Sequence, residues 1–315
     1  MNASPRVSVI IPTHNRPHTL PRAMHSVLSQ GYRDIELIVV DDASKTTATA
    51  KVVARFAAND SRVHYLRREI SGGAAAARNT ALEIARGEFV AFQDDDDEWL
   101  PGKLEQQMAL MTELGEECHL VGGPLVRYVA KVKSKIFAWP SAPGSPWVDA
   151  ARFVVERTAY LQTALIRKSA IQRIGAFNPA IAISEDYEMI LRLLDHGRLA
   201  TVPDLVTVVY EQSESSLSAR KPLRVISNLK ILELHEQRFR AYPLAVGVLC
   251  YDAAVNALLT GQHGLALRLW FRAWQAYPRA LRLYLLLPML LLPANVAAAL
   301  LDLSERAKRA RGRRS

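Results

Sequence analysis

Four consecutive aspartates, Asp94 to Asp97, directly follow the apolar run Phe89–Phe92, and a second acidic pair, Glu185-Asp186, stands further along the chain. Crowded carboxylates repel one another unless water or a cation screens them. A solvated acidic turn would satisfy the first cluster. A divalent-metal site would do so as well, because Mg²⁺ and Mn²⁺ take hard oxygen ligands, often one or two carboxylates completed by substrate phosphates. No cluster of histidine and cysteine accompanies the aspartates, which argues against zinc. On its own the Glu185-Asp186 pair reads as a helix amino terminus, where the dipole favours carboxylates.

The elements that must position these groups can be read from periodicity. Short β-branched or apolar runs at Val7–Ile11, Glu36–Val40, Val63–Leu66 and Phe89–Phe92 read as buried strands. Helical spacing covers Thr19–Gln30, Thr46–Ala58 and Ala74–Arg86, and Pro101 is expected to open a helix reaching about Leu114. Strands alternating with helices predict a mostly parallel sheet with right-handed crossovers, whose ligand site lies at the carboxyl ends of the strands. Asp41-Asp42 and Asp94 to Asp97 both fall there. The stretch from Leu120 to Tyr210 is more irregular, with a loop expected around Trp139–Trp147, a helix over Ser184–Leu194 and a strand over Thr201–Tyr210. From Val225 onward the pattern is helical, and Ala254–Pro278 fits either a single tetratricopeptide-like hairpin or an ordinary helical pair.

Five segments resemble the family 2 glycosyltransferases in order and approximate spacing. They are Val-Ser-Val-Ile-Ile-Pro-Thr-His-Asn-Arg (7–16), Ser-Val-Leu-Ser-Gln (26–30), Glu-Leu-Ile-Val-Val-Asp-Asp-Ala-Ser (36–44), Ala-Ala-Arg-Asn-Thr-Ala-Leu (76–82) and Gly-Glu-Phe-Val-Ala-Phe-Gln-Asp-Asp-Asp-Asp-Glu-Trp-Leu-Pro (87–101). Together with Ser-Glu-Asp-Tyr-Glu-Met-Ile-Leu-Arg-Leu (184–193) they carry the resemblance over about residues 6–215. It implies a GT-A fold, Rossmann-like with a mostly parallel sheet flanked by helices, over residues 1–222. The nucleotide-binding half would end near residue 118 and the acceptor half would occupy about 119–222, with an all-helical extension over 223–315.

The resemblance also implies roles. Thr13 and Asp42 match positions that hold the nucleotide base; Asp41 either shares that task or serves the strand end. Arg78 matches a basic position facing the nucleotide. Asp94 and Asp96 match the Asp-x-Asp motif, with Asp96 expected on a Mg²⁺ or Mn²⁺ ion and Asp94 toward the ribose or a metal-bound water. Asp186 matches the catalytic base, and Glu185 is expected to orient it or to contact the acceptor. A nucleotide-sugar donor, UDP-linked by resemblance, and a glycan or lipid-linked acceptor of envelope or exopolysaccharide synthesis complete the expectation. A single displacement without an enzyme nucleophile predicts inversion at the anomeric carbon.

Three departures stand out. Gln93 occupies a place where the family more often has an apolar residue. The Gln-x-x-Arg-Trp motif of processive synthases is absent from the sequence, which favours single transfer. The segment Glu211–Ser218 lacks the histidine of many members, with Arg220 and Lys221 close by.

Bulk properties narrow the alternatives. The 315 residues are half apolar and 23% charged, ordinary for a globular protein. Only Cys118 and Cys250 occur, which excludes a disulfide framework and fits a reducing cytosol. The apolar run at residues 7–11 is too short for a signal peptide. The net charge of +9 gathers in a terminal cluster, Arg306, Lys308, Arg309, Arg311, Arg313 and Arg314, preceded by the uncharged run Leu283–Leu301. That run is long enough to reach across a bilayer but carries Pro288 and Pro293, so either a buried helix or peripheral contact with the inner face of a cytoplasmic membrane is expected. A nucleic-acid role would rest on the basic tail alone. A nucleotidyltransferase would need a Gly-rich, lysine-containing phosphate loop near Pro12, which the sequence lacks. A non-catalytic nucleotide-sugar binding or scaffold protein remains as the other reading.

Overall fold

A computed structural model describes residues 5–129, 132–157, 160–211 and 220–300. The chain divides into two compact units, Met1–Ser213 and Glu214–Ser315.

In the first unit, β1 (Val7–Thr13) and β2 (Ile35–Asp41) are buried along their whole lengths, as strands covered on both faces must be. They pair in parallel with each other, with β3 (Val63–Arg67) beside β2 and β4 (Phe89–Phe92) beside β1. The crossovers are α1 (Leu20–Leu28), α2 (Ala48–Ala57) and α3 (Gly73–Ile84). Helix α1 turns Leu20, Ala23, Met24 and Val27 inward at helical spacing, against Val9, Ile11 and Leu37 of the sheet. Leu20, Met24 and Val27 each contribute roughly 1.5–3 kcal/mol on burial.

The acidic run leads into the two-residue strand β5 (Glu98–Trp99) and helix α4 (Lys103–Leu114). The helix starts two residues later than expected, because Gly102 takes φ +81° and turns the chain before Lys103. Strands β6 (Cys118–Gly122), β9 (Leu165–Arg167) and β10 (Arg198–Thr201) complete a seven-stranded sheet of order β10-β6-β9-β4-β1-β2-β3, with β9 antiparallel to both neighbours. This mixed, parallel-rich sheet is the GT-A architecture expected from the sequence.

The middle of the unit departs from the sequence reading. The single strand expected over Thr201–Tyr210 is two, β10 and β11 (Thr207–Glu211), which lie in different sheets. Pro203 in the connection cannot donate to a ladder. A second sheet of order β5-β11-β7-β8, including β7 (Leu125–Val129) and β8 (Val132–Phe137), occupies much of what reads as irregular sequence. Trp139 is buried there, stacked on Phe153 of α5 (Ala150–Glu156) and donating to the Thr163 hydroxyl at 2.9 Å. Helices α6 (Lys168–Ile174) and α7 (Glu185–Leu193) follow.

The second unit is helical: α8 (Lys221–Leu234), α9 (Glu236–Arg240), α10 (Pro243–Leu259), α11 (His263–Ala276) and α12 (Leu281–Leu286). Small residues, Ala253, Ala254 and Ala257 of α10 with Ala266 and Ala273 of α11, let the hairpin helices approach closely, and Gly261 supplies the left-handed residue between them at φ +76°. Asn228 donates to the Asp252 carboxylate at 2.7 Å and ties α8 to α10. The apolar run from Leu283 is divided: α12 ends at Leu286, a 3₁₀ turn covers Pro288–Leu291, and residues 294–300 are helical again. Among the described residues no helix is long and apolar enough to cross a membrane. The basic cluster after residue 300 and the segment 212–219 lie outside the described residues.

Candidate active site

The carboxyl ends of β1, β2 and β4 deliver three polar groups to one edge of the sheet. Thr13 ends β1 and Asp41 ends β2, both buried, while Asp94 begins the turn after β4, where the Asp97 amide donates to the Asp94 carbonyl at 3.2 Å.

Arg78 is the hub. It projects from α3, is buried, and donates to Asp94 at 2.8 Å and to Glu185 at 2.6 Å, with its guanidinium also over the Phe177 ring. One side chain therefore joins the end of β4 to the start of α7, residues far apart in sequence. Asp186 follows Glu185 and accepts a hydrogen bond from the Tyr187 amide at 2.7 Å. Burial, reinforced by the charges of Glu185 and Asp94 and only partly relieved by Arg78, pushes the Asp186 carboxyl up to about 7. Ser184, immediately before α7, sits in the left-handed region at φ +66°, a conformation that costs a non-glycine residue free energy and turns the chain into the helix.

The aspartate run is held from the other side by Arg16, whose guanidinium bridges Asp95 at 2.9 Å and Asp96 at 2.7 Å. Burial, then the neighbouring Asp94, raises Asp96 to about 6. Burial also raises Asp95 and Asp97, although Arg16 opposes it at Asp95 and the Tyr210 amide opposes it at Asp97. Arg22 of α1 donates to the Asp96 carbonyl and lies 3.9 Å from the Tyr210 ring centre, while Gln162 donates to Asp97 at 3.4 Å. Three arginines, Arg16, Arg22 and Arg78, thus face six carboxylates, Asp94 to Asp97, Glu185 and Asp186, and burial together with the acidic neighbours raises the proton affinities of Asp95, Asp96, Asp97 and Asp186. Asp94 and Asp96 would be the hard-oxygen donors for a Mg²⁺ or Mn²⁺ ion, with substrate phosphates completing its shell. Among the described residues no group of three or more histidine, cysteine or acidic side chains makes a self-contained metal cage.

Asp41 and Asp42 have other partners. Asp41 is wholly buried, accepting from the Ser44 amide and from the Tyr65 hydroxyl, each at 2.8 Å. Asp42 accepts from the Ser71 hydroxyl at 2.8 Å, the Gly72 amide at 3.1 Å, the Gly73 amide at 2.7 Å and the Arg68 guanidinium. Burial alone would raise its proton affinity, but these donors prevail and lower it.

Sequence reasoning assigned no role to Arg16, Arg22, Tyr160 or Gln162. Arg16 closes the first motif and was open to assignment. Tyr160 was not, because only the tertiary fold brings it close enough for the Asp186 charge to help burial push its phenol up to about 12.

Comparison with known proteins accords with this geometry. The profile of glycosyl transferase family 2 matches residues 8–175, more than half of the chain. The UDP-Glc:alpha-D-GlcNAc-diphosphoundecaprenol beta-1,3-glucosyltransferase WfaP of Escherichia coli is 30% identical over 227 residues, 72% of this chain and 85% of that protein. The first two curated relatives are 46% and 44% identical over 105 and 112 residues only, so the chain spans 40% and 44% of their lengths. Among solved structures, Staphylococcus aureus TarS 1–349 in complex with UDP-GlcNAc superposes with a TM-score of 0.58 at 18% identity, covering 87% of this chain and 92% of that one. The mannosyltransferase PcManGT of Pyrobaculum calidifontis, in complex with GDP-Man and Mn²⁺, gives 0.55 at 21% identity, covering 97% and 81%.

Proposed function

Because the chain belongs to glycosyl transferase family 2, we propose that it transfers a sugar from a nucleotide-diphosphate donor, a UDP-sugar first among them, to a hydroxyl of a glycan or lipid-linked acceptor in envelope or exopolysaccharide synthesis. The observation that carries this reading is the Arg78 bridge, which brings Asp94 at the strand end and Glu185-Asp186 at the helix start into one cluster.

In the proposed reaction Asp186 takes the proton of the acceptor hydroxyl. The hydroxyl oxygen forms a bond to the anomeric carbon as the bond from that carbon to the donor's diphosphate oxygen breaks, and the nucleoside diphosphate departs with the electron pair. A single displacement inverts the anomeric centre. A base must ionise near the working pH to be effective, and a carboxyl raised to about 7 by burial meets that requirement. Glu185, fixed by Arg78, orients the start of α7 so that the Asp186 carboxyl faces the acceptor. Asp94 and Asp96 would hold Mg²⁺ or Mn²⁺, which when bound offsets charge on the leaving diphosphate. Thr13 and Asp42 would receive the base of the nucleotide. The names of the relatives support a UDP-linked donor and a diphosphoundecaprenol-linked acceptor, and such an acceptor would keep the enzyme at the inner face of the cytoplasmic membrane.

Calorimetric titration of UDP, GDP and dTDP into the purified chain, with and without Mn²⁺, tests the reading. Binding of one nucleotide, strengthened at least tenfold by Mn²⁺, is the expected result. Folded protein that binds none of the three would overturn it.

A further inference from the structure

The helical unit carries a surface that its own core does not use. Helix α11 exposes Leu267, Phe271 and Trp274, at 50, 48 and 36% of their full area. Their spacing of four and then three residues sets them in one stripe. Helix α12 exposes Leu281, Tyr284 and Leu285 at 80, 50 and 69%. The two stripes are continuous: the Phe271 and Trp274 rings stack at 5.9 Å, and the Trp274 indole donates to the Tyr284 hydroxyl at 3.3 Å. The same helices bury Leu269, Ala273, Leu283 and Leu286 on their opposite sides, so the exposed face is a second face and not a gap in the core.

The charge that α11 and α12 themselves carry is of one sign. From His263 to Leu300 the sequence holds four arginines, Arg268, Arg272, Arg279 and Arg282, and no aspartate or glutamate. Arg268, Arg272 and Arg282 each follow an exposed apolar residue by one position, which on a helix places them about 100° round the axis, at the rim of the stripe. Aromatic rings with polar edges beside exposed leucines, rimmed by arginine, match the boundary of an anionic bilayer, where apolar side chains enter the acyl region and guanidinium groups meet headgroup phosphates. A second copy of the chain is a poorer occupant, because a two-fold contact would set one arginine rim against another.

We infer that the α11–α12 face is a membrane-docking surface that lies in the interface of an anionic bilayer. The inference deepens the proposed placement of the enzyme at a lipid-linked acceptor and rests on that reading for its purpose, although the surface itself stands apart from the donor chemistry. The sequence pointed to the run Leu283–Leu301; the structure shifts the emphasis to α11, which that run excludes, and to an amphipathic face in place of an apolar segment.

The test is co-sedimentation of the full chain with vesicles of phosphatidylcholine, with and without phosphatidylglycerol. The wild type should partition onto the phosphatidylglycerol vesicles, and the double variant F271S/L285S should partition at least about tenfold less. Brominated acyl chains should quench wild-type fluorescence more than that of W274F. Both variants should keep the wild-type melting temperature and nucleotide affinity, since all three side chains are exposed. Failure of the wild type to bind vesicles, or unchanged binding by F271S/L285S, would overturn the inference. So would a wild-type dimer that F271S/L285S converts to monomer, which would identify a second copy as the occupant. Loss of nucleotide binding with vesicle binding intact would sink the transferase reading and leave the surface standing.

Discussion

The amino end of the main sheet and the acidic cluster formed by the aspartate run with Glu185-Asp186 treat their carboxylates in opposite ways. At the amino end, Glu36 of β2 is buried and receives a hydrogen bond from the Ser8 hydroxyl at 2.6 Å, another from the Arg86 amide at 2.7 Å, and an ion pair from the Arg86 guanidinium at 2.8 Å. The Ser8 hydroxyl in turn accepts from the Gly87 amide at 2.8 Å, so one acid fastens the turn between α3 and β4 to the first two strands. Burial opposes ionisation of Glu36, but the Ser8 and Arg86 donors outweigh it and its proton affinity falls. In the acidic cluster, burial of Asp96 and Asp186 is reinforced by acidic neighbours and met by too few donors, and their proton affinities rise to about 6 and about 7. A carboxylate that only holds structure is saturated with donors. Carboxylates left short of donors keep capacity for a cation, a phosphate counter-charge or a proton, and the difference in stability is the cost of keeping it.

The sharpest way to break this contrast is Asp186→Asn. Turnover should fall about a thousandfold, the middle of the range for a positioned general base, while nucleotide affinity stays within about twofold. In the wild type, kcat should rise with pH through about 7 and level off above it, because only the ionised carboxyl accepts a proton. A raised folded-state proton affinity also means that Asp186 lends stability fully below its unfolded value near 4 and loses that contribution as pH rises through about 7. At pH 8 the variant should therefore be more stable than the wild type by about 1–2 kcal/mol in urea titrations. Retained turnover would reduce the Glu185-Asp186 pair to a helix terminus.

Glu36→Gln tests the opposite end with the opposite sign. Loss of the charged acceptor should cost about 2–3 kcal/mol at neutral pH, with kcat changed less than twofold. The lowered proton affinity of Glu36 gives stability that is present above the unfolded value near 4.3 and is lost as pH falls through the folded value. The gap between wild type and variant should therefore narrow in acid, whereas the Asp186→Asn gap closes as pH falls below 7 for the contrary reason. Equal stability of the two proteins at neutral pH would show that the Glu36 cluster does not fasten the sheet.

What the sequence disclosed follows the same division between local and distant information. Strands β1 to β4 and their crossovers are legible because buried runs and helical spacing are local properties, and the motif residues Asp94, Asp96 and Asp186 advertise themselves by type. The second sheet is not legible: β5 has two residues, and β7 and β11, which pair in parallel, are separated by residues 130–206. Glu36 reads as an ordinary strand residue, since nothing local reveals that Ser8 and Arg86 converge on it. Arg78 was read as facing a nucleotide, and its bridge between Asp94 and Glu185 appears only when α3, β4 and α7 are brought together.

Asp41 and Asp42 show the division operating between adjacent residues. Asp42 is saturated with donors, whereas Asp41 accepts two hydrogen bonds and faces the Arg67 guanidinium at 4.0 Å. The donors to Asp41 are the Ser44 amide three residues on and a tyrosine of the neighbouring strand, whereas those to Asp42 come from the single segment Arg68–Gly73 at the start of α3. A carboxylate offers about four acceptor positions, and the hydrogen bonds to Asp42 fill them. If Asp42 is to accept from the base of a nucleotide, at least one donor of that segment must give way, and affinity is reduced by whatever that release costs. Asp42→Asn should accordingly weaken nucleotide binding about tenfold, whereas Asp41→Asn should change it less than threefold and cost about 1 kcal/mol of stability. Calorimetry on the two variants separates the cases. Equal losses of affinity would mean that Asp41 shares the base with Asp42.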